Sequence, residues 1–307
     1  KEYQNMGIFD TLIVRPFGLL LRWSYNMVHN YGFAIIIFAT IAKLILLPFS
    51  YKSKKSMAKM SKLQEKLNKL QKQYANNRVT LNEEMTKLYE REGVSPMSGC
   101  LPSFLPLPIM FGLYYAVQKP LTYMMGFLEK GHDIPLLAQA VGVDLAAENP
   151  YTVQIIISER LGQFFDASGE LMPEIAKLSD NIANYLVNID FNFFGLNLAQ
   201  QPSFTNPSIL WVIPIVSGLT AFLSSFLTQK MQGTQIQGSM KTVLYVMPLM
   251  SVYFGFILPA SVGIYWITNN VLMVVQEFLL GKFIKHQESK NPEPETDKKK
   301  KKKNKEA

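Results

Sequence analysis

Five long apolar blocks determine what this chain can fold into. They lie at residues 31–49, 101–125, 208–228, 242–258 and 262–280. Each block is near the length that an α-helix needs to cross about 30 Å of hydrocarbon. A helix of this kind satisfies its own backbone polar groups, as lipid requires. The sequence therefore predicts an all-α polytopic membrane protein built as a bundle of five transmembrane helices.

The charges between these blocks indicate the orientation of the chain. Segment 50–97 carries eleven Lys and Arg against five acids, and segment 282–307 carries ten against five. Segment 119–207 reverses the balance, with four Lys and Arg against ten acids. Because Lys- and Arg-rich flanks mark the cytoplasmic side, we expect a multi-pass protein of the cell membrane. Its N-terminus would lie outside and its C-terminus in the cytoplasm.

One cation interrupts the first apolar block. A charged residue inside a membrane helix costs about 2.5–3.5 kcal/mol on insertion scales, so Lys43 is a functional-site hypothesis by default. However, Lys43 lies only about seven residues, or roughly 10 Å, before Ser50. Its long stem could therefore carry the ammonium to the cytoplasmic interface. Taken alone, the residues leave both interpretations open.

The N-terminal segment 1–30 contains an apolar stretch that is broken by charges. Residues 11–29 include Arg15 and Arg22, which favour an amphipathic helix at the outer interface over a sixth crossing. Trp23 and Tyr25 are the expected interfacial anchors of this helix.

Segment 50–97 predicts an antiparallel cytoplasmic hairpin of two helices. Apolar residues recur at spacings of three and four from Met57 to Tyr74, which is one helix face. The stretch 75–78 breaks the pattern, and Thr80 with Glu83 forms a capping box that would begin the second helix. The hairpin is either a solvated connector or an element that handles a partner.

The remaining polar segments have different expected roles. Segment 127–207 has 81 residues, too many for an idle loop, and we expect a small extracytoplasmic subdomain with short helices near 134–147 and 171–189. Segment 229–241 is a short cytoplasmic loop. Segment 282–307 is a basic cytoplasmic tail, expected to be disordered.

Polar residues inside the later blocks can serve either packing or a polar groove. Ser217, Thr220, Ser224 and Thr228 form one stripe, and small hydroxyl residues in membrane helices often mediate helix contacts. Amides in hydrocarbon are costly when unsatisfied. The mid-block amides Asn269 and Asn270 are therefore expected to face the bundle, and Gln276 follows later in the same block.

The sequence offers little support for an enzyme. It lacks a His-Glu-x-x-His zinc motif, a Gly-x-Ser-x-Gly elbow and a phosphate-binding loop. We therefore expect no catalytic residue, metal or cofactor. The alternative to a protein-handling role is a transporter or channel that uses Lys43 as an ion or proton site, although the two halves show no inverted repeat.

Several ordered motifs resemble the YidC/Oxa/Alb membrane insertases, in the short form without a large periplasmic domain. The similar stretches are Asn30-Tyr-Gly-Phe-Ala-Ile-Ile with Lys43 and Pro48, Ser56-Met-Ala-Lys-Met60, Gly93-Val-Ser-Pro-Met-Ser-Gly-Cys-Leu-Pro102, Phe194-Gly-Leu-Asn-Leu198, and Leu258-Pro-Ala through Tyr265-Trp-Ile-Thr-Asn-Asn270. Together they cover about residues 10–285 in one order, which is more specific than any single motif.

The resemblance implies a five-helix bundle around a hydrophilic groove that opens to cytoplasm and lipid. The groove would help apolar segments and short tails of substrate proteins enter the bilayer, with Lys43 attracting acidic substrate residues. The candidate groove residues are Lys43, Thr40, Ser217, Thr220, Ser224, Trp266, Asn269, Asn270 and Gln276. On the hairpin, Met57, Met60 and Leu63 would handle the arriving substrate.

The resemblance also implies partners for the chain. Nascent membrane proteins are the expected clients, the lipid bilayer is the environment, cooperation with the Sec translocon is open, and the chain is expected to be monomeric. A basic tail contacts ribosomes in some members, and ribosome or lipid contact is expected here from Lys298, Lys299, Lys300, Lys301, Lys302 and Lys303. The sequence departs from the family pattern in having Lys43 where Arg is usual, Pro106 where Gln is common, and a longer outer segment.

Overall fold

Helices make up most of the chain that the structure, a computed structural model, describes: residues 9–92, 106–126, 134–148, 152–178, 182–232 and 240–290. The α-helices are α1 Arg15–Val28, α2 Tyr31–Ile45, α3 Leu47–Gln73, α4 Arg78–Glu92, α5 Pro106–Gln118, α6 Pro120–Tyr123, α7 Ile134–Ala140, α8 Val153–Leu161, α9 Pro173–Ala176, α10 Val212–Gln232, α11 Met240–Ile257 and α12 Ala260–Lys290. The two short strands, β1 Asn192–Phe193 and β2 Leu196–Asn197, pair antiparallel. The predicted helical class is confirmed.

Within the described ranges, length and apolarity single out few helices that could cross a membrane on their own. The stretch Ile209–Met231 meets both requirements. Tyr31–Ile45 and Leu47–Lys55 meet them as a pair that is bent by 53°, and Pro248–Ile257 is apolar but shorter. The number of five spans therefore stays a prediction.

Two prolines break helices at places that the sequence analysis did not predict. The first block was expected to run from residue 31 to residue 49, but α2 ends at Ile45 and Pro48 lies in the first turn of α3, where proline is tolerated. The second block was expected to run to Met125, but Lys119 leaves the helical conformation with φ −121° and ψ 64°. The residue before a proline disfavours helical geometry, and Pro120 follows Lys119.

The last helix is longer than predicted. α12 reaches Lys290, so residues 282–290 are helical and the predicted disorder of this part of the tail is wrong. Its final turns pack on α3, where the rings of Tyr51 and Phe283 lie 5.8 Å apart. Tertiary contact therefore stabilises helix in a segment whose charge alone indicated disorder. Residues 291–307 lie outside the described part.

Close packing holds α10 against both α11 and α12. Glycines lie at the points of closest approach: a Cβ on Gly255 would lie 2.7 Å from the Cβ of Pro214, and one on Gly263 would lie 2.2 Å from Ile213. Small residues of this kind let helix backbones approach in membrane proteins. α2 packs against α1 and α12 on the other side of the bundle.

Helix α1 is part of the packed core. Leu21 is fully buried and Trp23 is 53% exposed, which suits the predicted anchor role of Trp23. Tyr25 is only 3% exposed, so its predicted role as an interfacial anchor is wrong. Its hydroxyl donates to the carbonyl of Asn188 at 2.7 Å and accepts from the amide of Asp190 at 2.8 Å. Tyr25 thus ties α1 to the acidic segment.

The described parts of the acidic segment form a packed unit. Its core includes Leu137, Ile155 and Leu161, all with 0% exposure. Helices were expected near 134–147 and 171–189, but α7 is shorter than the first range and α9 has only four residues. Helix α8 was not predicted, because its Ile-Ile-Ile run also suits a strand.

The basic helices α3 and α4 lie side by side and are joined by a tight turn. Lys66 and Glu92 form an ion pair between them. The predicted capping box at Thr80 is wrong: α4 begins at Arg78, and the side chain of Asn77 accepts from the amide of Thr80 at 3.2 Å. Asn77 therefore caps the helix, as asparagine commonly does.

The acidic and basic segments contact opposite ends of α2 and α12. At one end, the backbone amide of Tyr31 donates to the backbone carbonyl of Asp190 at 3.0 Å, and the amide of Ala260 donates to the carbonyl of Gln200 at 2.9 Å. At the other end, Lys54 of α3 pairs with Glu277 of α12 at 2.7 Å. Because the two helices run in parallel, these contacts separate the two charge classes along the bundle.

Candidate functional site

Lys43 lies at the border between the buried and the exposed faces of α2. Ala42 is 5% exposed and belongs to the core, whereas Leu44 and Ile45 are 61% and 63% exposed. Lys43 itself is partly exposed, as are Ile36 and Thr40 on the same stripe of the helix. The position gives an ammonium access both to the bundle and to an apolar surface.

The ammonium of Lys43 has no neutralising partner among the described residues, which provide it with neither a hydrogen bond nor an ion pair. The nearby Thr40 uses its hydroxyl proton within its own helix, donating to the carbonyl of Ile36 at 2.8 Å. An unpaired cation in an apolar helix is costly. The charge is therefore available to a ligand that brings an anion.

A polar contact joins α10 and α12 near the middle of both helices. The amide group of Asn270 donates to the hydroxyl of Thr220 at 3.2 Å and approaches the carbonyl of Ser217 at 3.5 Å. The hydroxyl of Thr220 donates in turn to the carbonyl of Val216 at 2.8 Å. The structure thus brings three of the predicted groove residues together, in a contact between two helices.

The two serines of the predicted stripe are closed off from solvent in this conformation. Ser217 is 0% exposed and Ser224 is 3% exposed. The hydroxyl of Ser224 donates to the carbonyl of Ala221 at 3.0 Å, within its own helix. These positions favour the packing interpretation of the stripe over the groove interpretation.

The other predicted groove residues lie along α12. Asn269 and Gln276 are partly exposed, and so is Trp266, whose ring lies 5.8 Å from that of Phe254 on α11. Since α12 packs against both α2 and α10, these side chains belong to the helix that connects the Lys43 face to the Asn270 contact. Their assignment to a substrate groove remains a prediction.

The predicted hairpin and tail residues are less informative. Leu63 is 3% exposed, so it packs in the hairpin and is not available to a substrate in this conformation. The backbone of Met57 and Met60 lies in α3, but their side chains are outside the described part. Lys298 to Lys303 are also outside it. These roles stay predictions.

Sequence reasoning missed a clasp, which we define as Tyr51 and Lys54 of α3 with Glu277 and Gln287 of α12. The ammonium of Lys54 lies 2.7 Å from the carboxylate of Glu277 and donates to its backbone carbonyl at 2.6 Å. The hydroxyl of Tyr51 donates to the side-chain oxygen of Gln287 at 2.7 Å. The only signal in the sequence was a carboxylate near the end of the last apolar block.

The clasp also bears on the electrostatics of the site. The side chains of Lys54 and Glu277 are 16% and 12% exposed, so the pair is shielded from solvent and its charges offset each other. Glu277 is thereby engaged at the basic end of α12. This leaves the charge of Lys43 uncompensated by that carboxylate.

Comparison with known proteins gives matches over nearly the whole chain. The model of the family described as 60Kd inner membrane protein matches residues 23–288. A membrane protein insertase YidC of Maridesulfovibrio salexigens is 27% identical over 282 residues, which are 92% of this chain and 40% of that protein. A membrane protein insertase YidC of Fusobacterium nucleatum is 27% identical over 277 residues, which are 90% of this chain and 98% of that protein.

A solved structure is also similar. The active YidC insertase crystal structure with the first transmembrane domain resolved has a TM-score of 0.48 and 17% identity, covering 88% of this chain and 46% of that one. The chain thus spans about 40% of the length of the Maridesulfovibrio relative and less than half of the crystallised chain, but nearly the full Fusobacterium relative.

Proposed function

Because the chain belongs to the 60Kd inner membrane protein family, whose matched relatives are named membrane protein insertase YidC, we propose that it is a membrane protein insertase. Its clients are nascent membrane proteins with an apolar segment and a short polar tail. It lowers the barrier for moving that tail by offering polar surface at membrane depth. The unpaired ammonium of Lys43 is the observation that carries this proposal.

Lys43 holds the polar tail of the client for a limited time. The Coulomb attraction between unit charges 4 Å apart is about 1 kcal/mol in bulk water and about 4 kcal/mol at an effective dielectric of 20. A partly exposed site at the edge of α2 falls between these limits. An acidic residue of a client is therefore attracted, yet weakly enough to be released into water on the far side.

The surface next to Lys43 suits the apolar part of the same client. Leu44 and Ile45 are more than half exposed and follow Lys43 directly. When the tail of a client reaches the ammonium, its apolar segment lies against these side chains and the surrounding lipid. One short stretch of α2 thus presents a cation and an apolar wall side by side.

The proposed orientation places the acidic segment outside and the hairpin in the cytoplasm. Its support is the separation of charge between the two ends of α2 and α12, combined with the preference of Lys and Arg for the cytoplasmic side. A client arriving from the cytoplasm then meets α3 and α4 before it reaches Lys43.

The test is insertion of a single-span client with an acidic N-terminal tail into liposomes that contain the purified protein. Lys43→Arg keeps the charge and should retain insertion, whereas Lys43→Ala and Lys43→Glu should lose it. Lys282→Ala removes a cation from α12 that lies 4.9 Å from the ring of Phe278, and it is the matched control.

A second client sharpens this test. With the acids of its tail replaced by Gln and Asn, the client should insert equally well with the parent protein and with the Lys43→Ala variant, because no carboxylate is left to attract. Equal insertion of the acidic client by all Lys43 variants would show that the ammonium is not the binding group. The proposed mechanism would then be wrong.

A further inference from the structure

The β1–β2 hairpin carries a large aromatic residue in an unfavourable conformation. Its two turn residues, Phe194 and Gly195, have φ of +51° and +80°, as a two-residue turn of type I′ requires. Asn or Gly is preferred at the first of these positions, and positive φ is unusual for a bulky residue. Phe194 is nevertheless 81% exposed, so burial within the chain does not offset the strain. Such an outlier indicates a function for the side chain.

Hydrogen bonds fix this hairpin to the first turn of α2. The side-chain amide of Asn30 donates to the carbonyl of Asn192 at 2.8 Å, and the amide of Gly195 donates to the side chain of Asn192 at 3.0 Å. The ring of Phe193 lies so close to Gly32 that an added Cβ would be 2.2 Å from it. The position of Phe194 is therefore set by the end of α2.

Phe194 extends the exposed apolar face of α2. Its ring centroid lies 4.6 Å from that of Phe193 and 5.9 Å from that of Phe33, both in edge-to-face contact. Phe33 lies in the first turn of α2 and is 45% exposed. We call the exposed rings of Phe33 and Phe194 the aromatic tip, and it lies at the N-terminal end of the helix face that carries the exposed Leu44 about three turns later.

Along the chain, the acids of the acidic segment end before the tip, and in the fold the carboxylates of Asp190 and Glu159 contact the hairpin at Asn192 and Asn197, not at its turn. Asp190 is the last acid, and residues 191–229 contain no Asp, Glu, Lys, Arg or His. Entry of the tip into a less polar medium would therefore not require any residue of that stretch to lose the hydration of a charge. Phe is also among the side chains that membrane-surface segments bury at the boundary between headgroups and acyl chains.

We propose that the aromatic tip inserts into the interfacial region of the outer leaflet, with lipid as its partner. This inference rests on the membrane placement in the proposed function. Lys43 follows Phe33 by ten residues, or about 15 Å along a helix. An anchor at the tip therefore fixes the depth at which α2 presents its ammonium.

The experiment places a small fluorophore on single cysteines of the full chain in liposomes, in a Cys100→Ser background. The labelled variants are Phe194→Cys, Leu219→Cys on the exposed face of α10, and Val79→Cys on α4, whose exposed fractions are 81%, 63% and 70%. Emission is measured with nitroxide lipids labelled near the headgroup and with aqueous iodide. The label at 194 should lose most of its emission to the lipid quencher and little to iodide, while the label at 79 should do the reverse.

Replacing Phe194 by a labelled cysteine changes the proposed anchor, so a second variant keeps the aromatic ring. Phe194→Trp should add emission that brominated lipids quench, measured as the difference from the parent protein with its three tryptophans. If the label at 219 is quenched by lipid while 194 is quenched by iodide, or is shielded from both quenchers, the tip does not contact lipid and the inference is overturned. If 219 is also quenched by iodide, the membrane placement itself fails.

Discussion

The clasp between α3 and α12 allows a quantitative prediction about how the hairpin is held. Lys54 and Glu277 are 16% and 12% exposed. Breaking a fully buried pair by removing one partner costs about 3–5 kcal/mol, whereas exposed pairs contribute about 0–1 kcal/mol. This pair lies between the two limits but nearer the buried one. We therefore expect Lys54→Met to lower the free energy of unfolding by about 2–3 kcal/mol.

A double-mutant cycle separates the pair from the two residues individually. Glu277→Gln should cost somewhat less than Lys54→Met, because Lys54 also donates to the carbonyl of residue 277. The double variant Lys54→Met/Glu277→Gln should lose about 1–2 kcal/mol less free energy of unfolding than the two single losses added together. The reason is that it leaves no unpaired buried charge. Denaturant titration of the protein in micelles, followed by tryptophan fluorescence, measures these free energies.

The matched control is the pair of Lys87 and Glu84 within α4. Their side chains are 63% and 33% exposed, and solvent screening makes such pairs weak. Lys87→Met should therefore leave the free energy of unfolding unchanged. If the Lys54 and Glu277 losses add without coupling, or if Lys87→Met is as damaging as Lys54→Met, the clasp does not stabilise the fold as the geometry indicates.

Two further predictions concern contacts that hold the acidic segment and the helix bundle. Tyr25→Phe removes the hydroxyl that bridges Asn188 and Asp190, so unfolding should become easier by about 1–3 kcal/mol; faster amide hydrogen exchange near Asp190 would show it, and unchanged exchange would contradict it. Gly255→Ala places a Cβ 2.7 Å from Pro214, so we expect a loss of about 1–3 kcal/mol from overpacking. The same denaturant titration tests this, with the exposed Leu249 as the control position for an alanine.

The patterns that the sequence predicted well were those that depend on one segment at a time. Apolar length predicted helices, and the helical class is observed. The predicted ends were less accurate, because proline sets the break one or two residues before itself, at Leu46 and at Lys119. Helix α8 was missed because its Ile-rich run has a propensity for strand. In the structure, packing within the acidic segment favours the helix instead.

Contacts between distant segments could not be predicted from the sequence. Lys54 and Glu277 are separated by 223 residues, and nothing in the sequence distinguishes Lys54 from the other lysines around it as the partner of that carboxylate. Tyr25 was assigned to the interface because aromatic residues at helix ends often lie there. Its burial depends on Asn188 and Asp190, which approach it only when the acidic segment is folded.

Helix α2 connects the features on which the proposed mechanism depends. At its N-terminal end, Asn30 fixes the hairpin that carries Phe194; at its C-terminal end, the chain bends by 53° into α3. Lys43 lies three residues before Leu46, where the helix is interrupted. In the proposed mechanism, the aromatic tip at the N-terminal end of α2 sets the depth of the ammonium, and the direction in which α3 leaves sets its surroundings. Because the clasp holds α3 against α12, we expect its release to change the surroundings of Lys43.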